Sequence, residues 1–217
     1  MDTFNAPMFY RMLDAATIAI GDNAAWLNEL DGKTGDGDHG TTMLRVKRSI
    51  EEMLIKADKA PVSHWQQAID DLGWSILSQD GGSAGMLIGN LFIGLAEGLT
   101  EEQLSPQQTA AAFRAGLDKM RHFSGAQQGD KTMLDALIPA VSAMESAANQ
   151  PQISIDTLFR IAAQAADEGA QATIAMKPTR GRAKNMGERA IGLIDPGATS
   201  MSLVFGAFSS VSTPELV

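Results

Sequence analysis

The sequence predicts an all-α protein whose ligand site lies on the loops between its helices. Apolar residues recur at spacings of three and four along most of the chain, as in amphipathic helices. No segment alternates polar and apolar residues with β-branched enrichment, so we expect no strands. Glycine clusters fall at the predicted helix junctions, which favours one bundle of roughly eight helices with functional loops. These clusters lie at 35–40, 81–85, 125–129, 181–187 and 197.

The N-terminal half contains clear helix signals. The first predicted helix has one apolar stripe, formed by Phe9, Leu13, Ala16 and Ile20. Two later helices begin with a capping box, in which a Ser and a Gln three residues later satisfy free N–H groups of the first turn. The boxes are Ser63 with Gln66 and Ser105 with Gln108, and Pro106 suits the first helical position.

Three further apolar-periodic segments complete the predicted bundle. Asp130 is placed to cap a helix whose stripe comprises Met133, Leu134, Leu137, Ile138, Val141 and Met144. The next helix has an alanine-rich stripe that suits close packing, formed by Leu158, Ile161, Ala162, Ala165 and Ala172. A last helix runs through Met201, Leu203 and Val204 to about Ser210.

Length and composition restrict the class of protein. The chain has 217 residues, and we expect residues 1–217 to form a single domain with a full core. No apolar run approaches the roughly 20 residues that span a membrane, and the first residues lack the basic start of a secretory signal. The absence of Cys excludes thiolate chemistry, and the net charge of −9 argues against nucleic acid as a ligand. We therefore expect a cytoplasmic protein that binds neither membrane nor nucleic acid.

The stretch NELDGKTGDGDHG contains the first candidate site. Asp31, Asp36 and Asp38 fall within eight residues that are too rich in glycine for a helix. Ionised carboxylates this close repel one another, and a hard divalent cation relieves the repulsion by taking oxygen ligands. Mg²⁺ commonly binds one or two carboxylates, waters and ligand phosphates, so the three acids can hold two such ions. The spacing is not that of an EF-hand, and the alternative is a solvated acidic turn.

Two neighbouring features suit a phosphate ligand. His39 follows the acids and can bind a metal, hydrogen-bond a phosphate or merely orient the loop. The run DGGSAG, residues 80–85, precedes an apolar helix, and glycines there let an anion approach the N–H groups of the helix N-terminus. The run has neither P-loop nor Rossmann spacing, and small residues at a tight helix crossing produce the same pattern.

Two later segments extend the candidate site. In GDKTMLDAL, Lys131 can meet a phosphate, Thr132 a ligand and Met133 a flat base, although a capped core helix explains the segment equally well. Five basic residues fall within thirteen positions around Arg182, among glycines, which predicts a mobile cationic loop. An Arg that closes over phosphates would stabilise the charge that develops in phosphoryl transfer, and a solvated basic loop is the alternative.

Taken together, the loop motifs resemble those of the nucleotide-binding L subunits of dihydroxyacetone kinases. The runs GDGDHG, DGGSAG, GDKTMLDAL and GRAKNMGERAIGLIDPGATS occur in that family's order and spacing, over about residues 6 to 211. The resemblance implies eight antiparallel amphipathic helices in an up-and-down barrel. It also implies a nucleotide held by the loops at one end.

The resemblance carries residue roles with it. Asp31, Asp36 and Asp38 match the family's metal ligands, which hold two Mg²⁺ ions on the nucleotide phosphates. His39 and Arg182 are the candidate catalytic residues. No nucleophile or general base is expected, because phosphoryl transfer depends mainly on positioning and charge stabilisation. The nucleotide contacts match His39, Gly40, Thr41, Thr42, Ser83, Ala84, Gly125, Met133, Arg182, Asp195, Pro196 and Gly197.

The family uses two energy sources. In fused forms, subunits K and L share one chain and use ATP directly. A separate subunit L keeps ADP as a cofactor. Phosphocarrier subunit M of the phosphotransferase system converts this ADP transiently to ATP. The γ-phosphoryl group then passes to dihydroxyacetone on subunit K. His39, where fused forms often carry Cys, and the run GERAIGLIDPGATS favour this second mode.

Two alternative functions stay open. One is an ATP-dependent kinase subunit for another short ketose or polyol. The other is a non-catalytic ADP-sensing module that controls a partner protein. The three hypotheses differ in the phosphoryl donor, which is a phosphocarrier, free ATP or neither. The ketose is not specified by this chain, because in the family subunit K holds it.

Overall fold

The computed structural model describes residues 3–58, 65–79 and 82–212. Within these ranges eight α-helices follow one another, as the apolar periodicity predicts. They are α1 Ala6–Gly32, α2 His39–Ala57, α3 Trp65–Leu77, α4 Gly82–Gly98, α5 Pro106–Ser124, α6 Leu134–Ala148, α7 Ile155–Ala172 and α8 Pro196–Ser212. Two 3₁₀ segments, Thr173–Ala175 and Arg182–Ala190, lie between α7 and α8.

The eight helices close into the expected up-and-down barrel. Each helix packs against the one before it and the one after it, and α8 returns to α1, so the ring is complete. Mostly short connections make consecutive helices antiparallel. All even-numbered helices therefore begin at the same end of the barrel, where the odd-numbered helices finish. None of the described helices is both long and apolar enough to cross a membrane.

The expectation of no strands is wrong in one detail. β1 (Phe4–Asn5) and β2 (Gln103–Leu104) form an antiparallel pair of two residues each. Each strand leads into a capped helix, since Asn5 caps α1 and Ser105 caps α5. A residue at the N-cap position takes extended backbone angles, so two such segments can pair when they lie side by side. The pair is too short to produce a period-two sequence pattern.

One predicted capping box is confirmed. The Ser105 hydroxyl accepts the N–H of Gln108 at 3.2 Å, and the Gln108 side chain accepts the N–H of Ser105 at 2.8 Å. The other predicted box begins at Ser63, which lies outside the described residues.

The predicted Asp130 cap is wrong. Asp135 instead holds the turns before α6, because its two carboxylate oxygens accept the N–H groups of Gly129 and Thr132. Asp130 binds the N–H of Gln127 and the Thr179 hydroxyl. An acid near the start of an apolar run matches the capping pattern whether or not its side chain points at the free N–H groups. The sequence alone therefore did not decide whether Asp130 or Asp135 binds them.

The predicted apolar stripes line the interior. Phe9, Leu13, Ala16 and Ile20 are all buried, and on α7 the buried face continues through Ala166 and Ala170, whereas the predicted Ala172 is exposed. The α6–α7 crossing is close, because a Cβ on Gly169 would lie 2.2 Å from the Asp135 carbonyl oxygen. Six rings pack in tilted or edge-on contacts far from the starts of the even helices. They belong to Phe4, Phe9, Phe113, Phe159, Phe205 and Phe208.

Candidate functional site

A cleft of about 440 Å³ opens at the end of the barrel where the even-numbered helices begin. Its walls come from the first turns of α2, α4, α6 and α8 and from the loops that precede them. The first N–H groups of a helix have no partner within the helix and carry partial positive charge. Four helix starts around one cleft therefore suit an anionic ligand.

The structure brings the three predicted acids together at this cleft. Asp31 lies in the last turn of α1, and Asp36 and Asp38 lie in the loop before α2. One oxygen atom from each carboxylate lies within 4.8 Å of the others. Three hard oxygen donors at this separation form a donor set that fits Mg²⁺.

The Asp31 carboxylate holds the loop of residues 33–38, which connects α1 to α2. Its Oδ2 atom accepts the N–H groups of Asp38 at 2.9 Å and of His39 at 3.3 Å, so it orients the start of α2. A Cβ on Gly35 would lie 2.5 Å from the other oxygen atom of Asp31. The loop therefore needs a glycine at position 35 in order to fold over the carboxylate.

Arg182 links the basic segment to the acids. Its guanidinium contacts the carboxylate of Asp36. The two side chains are 65% and 40% exposed, so solvent screens the pair and it contributes little to stability. The contact instead shows that the Arg182 side chain reaches the acids, which are distant from it in sequence.

His39 is buried at the start of α2. Its Nε2 atom lies 3.0 Å from the hydroxyl oxygen of Ser200, whose own proton is donated to the carbonyl of Gly197 at 2.8 Å. When the hydroxyl proton points to Gly197, Nε2 is the donor of the bond to Ser200. Burial lowers the pKa of His39 to about 4, although Asp31 opposes the change, so the ring is neutral at pH 7. This contact joins the starts of α2 and α8.

Asp195 organises the turn that begins α8. Its Oδ2 atom accepts the N–H of Ala198 at 2.7 Å, and its own N–H donates to the hydroxyl of Thr173 at 3.0 Å. Burial raises the pKa of Asp195 to about 7. Asp135 adds to this rise, while the Ala198 N–H and the Lys131 ammonium oppose it. This carboxyl group therefore titrates near neutral pH.

Lys131 is among the residues that line the cleft, but its ammonium is bound to the protein backbone. Its side chain is only 2% exposed, and its ammonium donates to the carbonyl oxygens of Thr173 and Leu193. These bonds commit the ammonium to backbone acceptors beneath the cleft. The structure thus favours the alternative reading of this segment, in which Lys131 is part of the protein scaffold.

Most of the predicted nucleotide residues line the cleft. Met133 packs against the start of α8, because a Cβ on Gly197 would lie 3.2 Å from the Met133 Cβ. Ser83 and Ala84 lie in the first turn of α4, beyond the part of DGGSAG that falls outside the described residues. The predicted nucleotide contacts that line the cleft are His39, Thr42, Ser83, Ala84, Met133, Arg182, Asp195, Pro196 and Gly197.

Three predicted contacts, all in the described part of the chain, lie beside the cleft and do not line it. Gly40 packs on α1, where a Cβ would lie 1.9 Å from the Ala24 carbonyl oxygen. The Thr41 N–H donates to the Asn28 side chain at 3.0 Å. Gly125 ends α5 with a φ of 58°, a conformation that favours glycine. Close packing explains Gly40 and the left-handed backbone explains Gly125, while the bond to Asn28 holds the backbone of Thr41 against α1.

Sequence reasoning missed other residues of the site. Ser200 holds His39, and Asp135 holds the turn before α6, but neither was assigned a role from sequence. Met86 and Phe123 line the cleft with 43% and 53% of their surface exposed. The positions of Ser200, Met86 and Phe123 in the site depend on which helices are neighbours, so no local pattern identifies them, whereas the bond of Asp135 to the N–H of Thr132, three residues earlier, is a local signal that the sequence contained.

Residues 33–210 match the family model described as the DAK2 domain. The chain belongs to the DAK2 domain family. This finding confirms the family resemblance drawn from the four loop motifs.

DAK2 relatives occur both as separate subunits and within longer kinases. The chain is 35% identical over 178 residues to the ADP-binding subunit DhaL of the PEP-dependent dihydroxyacetone kinase of Escherichia coli, covering 81% of this chain and 82% of that protein. It is 28% identical to the corresponding subunit of kinase 1 from Listeria innocua, covering 94% and 96%. It is 33% identical to the D-erythrulose kinase of Mycolicibacterium smegmatis, covering 91% of this chain but 34% of that enzyme.

A solved structure shares the DAK2 fold. The dihydroxyacetone kinase from C. freundii, in complex with AMP-PNP and Mg²⁺, superposes with a TM-score of 0.74 at 27% identity. The match covers 97% of this chain and 35% of that kinase. This chain therefore corresponds to about a third of that longer enzyme.

Proposed function

We propose that this protein is the ADP-binding subunit of a phosphoenolpyruvate-dependent dihydroxyacetone kinase. One observation carries the proposal: three carboxylates within 4.8 Å of one another lie in the same cleft as four helix starts and Arg182. The carboxylates suit a divalent cation, and the helix starts and Arg182 suit phosphates. A magnesium–nucleotide complex contains both partners. The similarity to separate ADP-binding subunits supports ADP as the nucleotide.

Each part of the site has a role in this proposal. Asp31, Asp36 and Asp38 would hold two Mg²⁺ ions, which would neutralise negative charge at the phosphates. The N–H groups at Ser83 and Ala84, in the first turn of α4, and the side chain of Thr42, which lines the cleft, would donate to phosphate oxygens, while Gly40 and Thr41 hold the start of α2 against α1. His39, held neutral by burial, orients this helix start. Arg182 adds positive charge where charge develops during phosphoryl transfer.

The adenosine end of the nucleotide has its own contacts in the proposal. Met133 lies against the flat base, and its thioether suits contact with an aromatic ring. The turn of Asp195, Pro196 and Gly197 borders the same cleft, and Gly125 lies in the chain between two of its lining residues, Ser124 and Ala126. In this proposal residues 1–217 act as one nucleotide-binding domain, and the protein works in the cytoplasm.

The cofactor cycle requires two partner proteins. We infer that a phosphocarrier corresponding to subunit M rephosphorylates the bound ADP. The γ-phosphoryl group of the resulting ATP then passes to dihydroxyacetone held on subunit K. Arg182 lies at the cleft mouth with its side chain 65% exposed, in a position to meet either partner.

Extraction of the bound nucleotide tests the cofactor assignment. The purified protein, kept in Mg²⁺ and then denatured, should release ADP in a stoichiometric amount, measured by mass spectrometry. Phosphoryl transfer to dihydroxyacetone should then require subunit K and a phosphorylated carrier, and free ATP should not replace the carrier. A protein that neither contains nor rebinds ADP with Mg²⁺ would contradict the proposal.

A second candidate follows from the erythrulose kinases among the relatives. The relative from Mycolicibacterium smegmatis is a D-erythrulose kinase, and another from Pectobacterium atrosepticum is an L-erythrulose kinase. The same nucleotide site can therefore serve a different short ketose with ATP as the direct donor. Transfer from free ATP to erythrulose, with the carrier absent, would favour this candidate over the first.

A further inference from the structure

Lys131 has an unusual position for a lysine. It is among the residues that line the cleft, yet only 2% of its surface is exposed, and its ammonium binds the carbonyl oxygens of Thr173, at 2.6 Å, and Leu193. A buried ammonium is costly unless its donors are satisfied. The carboxylates of Asp135 and Asp195 are close enough to favour its charge.

The two carbonyl groups belong to the two ends of one loop. We define the basic loop as residues 174–192, which connect the end of α7 to the turn before α8. The Gly192 N–H donates to the carbonyl of Ile174 at 2.7 Å, and the Asp195 N–H donates to the Thr173 hydroxyl at 3.0 Å. Lys131 adds two bonds at the same place, so one side chain joins both ends of the loop.

Asp130, the residue before Lys131, holds the first half of the basic loop. The Asp130 carboxylate accepts the Thr179 hydroxyl, and the Asp130 carbonyl accepts the Thr179 N–H at 3.2 Å. Beyond this anchor the chain turns at Gly181 and places Arg182 against Asp36. Residues 130 and 131 therefore hold the part of the chain that leads to Arg182.

The backbone of Lys131 indicates that its side chain is needed there. Its φ angle is +61°, in the left-handed region that disfavours residues with a Cβ. Such conformations persist where the surrounding structure holds them, and they concentrate near functional sites. A glycine would adopt this angle without strain but would supply no ammonium.

We propose that Lys131 is a positioning residue for Arg182. It closes the base of the basic loop, and in this way it sets where the Arg182 guanidinium lies above Asp36. In this role its ammonium stays bound to the carbonyl groups of Thr173 and Leu193 and does not donate to the nucleotide. The consequence for catalysis rests on the function proposed above, whereas the consequence for loop closure does not.

Hydrogen exchange of the 217-residue chain tests loop closure directly. Lys131→Met removes the ammonium and keeps the length of the side chain, and Lys131→Gly also removes the backbone strain. In both variants, the amides of Gly192 and Asp195, which are hydrogen-bonded at the base of the loop, should exchange at least about 10-fold faster than in the wild type, because closure of the loop loses two charge-assisted bonds. Lys119→Met, which breaks a surface ion pair with Glu97, is the matched control and should leave the loop unchanged. Wild-type exchange in both Lys131 variants would overturn the proposal.

Kinetics of the reconstituted kinase test the link to Arg182. Lys131→Met should lower the transfer rate about 10-fold while ADP affinity, measured by calorimetry, changes less than about 3-fold. In an Arg182→Ala background the same substitution should have almost no further effect on the rate, because the residue it positions is absent. If the double variant instead lost rate by the product of the two single losses, Lys131 would act independently of Arg182, and the proposal would be overturned. If the wild type neither binds ADP nor transfers phosphate, the proposed function fails, and hydrogen exchange still decides loop closure.

Discussion

Asp195→Asn should stabilise the metal-free protein, and the gain should increase with pH. Burial raises the pKa of Asp195 from 3.8 to about 7, so the folded protein disfavours its carboxylate form. The unfolded chain ionises the same group near its ordinary pKa. Wild-type stability therefore carries a penalty that grows as the pH rises from about 4 to about 7 and is constant above that range. The neutral Asn side chain still accepts the Ala198 N–H but carries no such penalty.

The expected size follows from the pKa. A rise from 3.8 to about 7 corresponds to about 4 kcal/mol at full burial. Asp195 keeps part of its surface exposed at the cleft, and solvent screening reduces the penalty, so we expect about 2 kcal/mol. His39 gives a slope of opposite sign, because its lowered pKa makes wild-type stability fall as the pH drops from 6.5 to about 4. Subtracting the wild type from the variant removes this second contribution.

Urea denaturation with a chelator present measures the effect. The free energy of unfolding should be determined for both proteins at about pH 4.5, 6 and 8, and the difference should grow by about 2 kcal/mol over this range. Asp22→Asn, which alters an exposed carboxylate, is the control for the loss of one negative charge. A difference for Asp195→Asn that is constant, or that shrinks with rising pH, would refute the reasoning.

Four other predictions concern packing, metal, transfer and loop order. Gly98→Ala should destabilise the fold by about 2 kcal/mol, because its Cβ would lie 2.4 Å from the Ala112 Cα. Gly206→Ala, whose Cβ would meet nothing within 4 Å, should stabilise the fold by up to about 1 kcal/mol, and denaturant titration measures both changes. Asp36→Asn should abolish Mg²⁺-dependent ADP retention with the helical circular dichroism unchanged, and wild-type affinity by calorimetry would contradict the metal assignment. Arg182→Ala should lower the transfer rate by about 10³-fold or more, with a smaller loss of ADP affinity, and equal losses would mark it as a ground-state anchor. Amides at 180–187 should exchange rapidly without ligand and slowly with Mg²⁺–ADP, and equal protection in both states would identify a rigid element.

The sequence by itself determined the helices and the family. Apolar periodicity and caps are local features, since a helix repeats every few residues and a cap spans a single turn. For this reason the stripe from Phe9 to Ile20 and the Ser105 box were predicted correctly. The three acids were also found by sequence, because they lie in one short loop, and the order of the four loop motifs identified the family.

Only the tertiary structure decided which partner each polar side chain has. The sequence around Asp130 and Lys131 is equally consistent with a phosphate site and with a capped helix. The structure decides between these two interpretations, because Lys131 binds the carbonyl of Thr173 and Asp130 binds the hydroxyl of Thr179. His39 meets Ser200, and Arg182 meets Asp36, only because the closed barrel brings α8 and the basic loop beside the start of α2. Hydrogen bonds and ion pairs depend on distances of a few ångströms between residues far apart in sequence. Local periodicity carries no information about those distances.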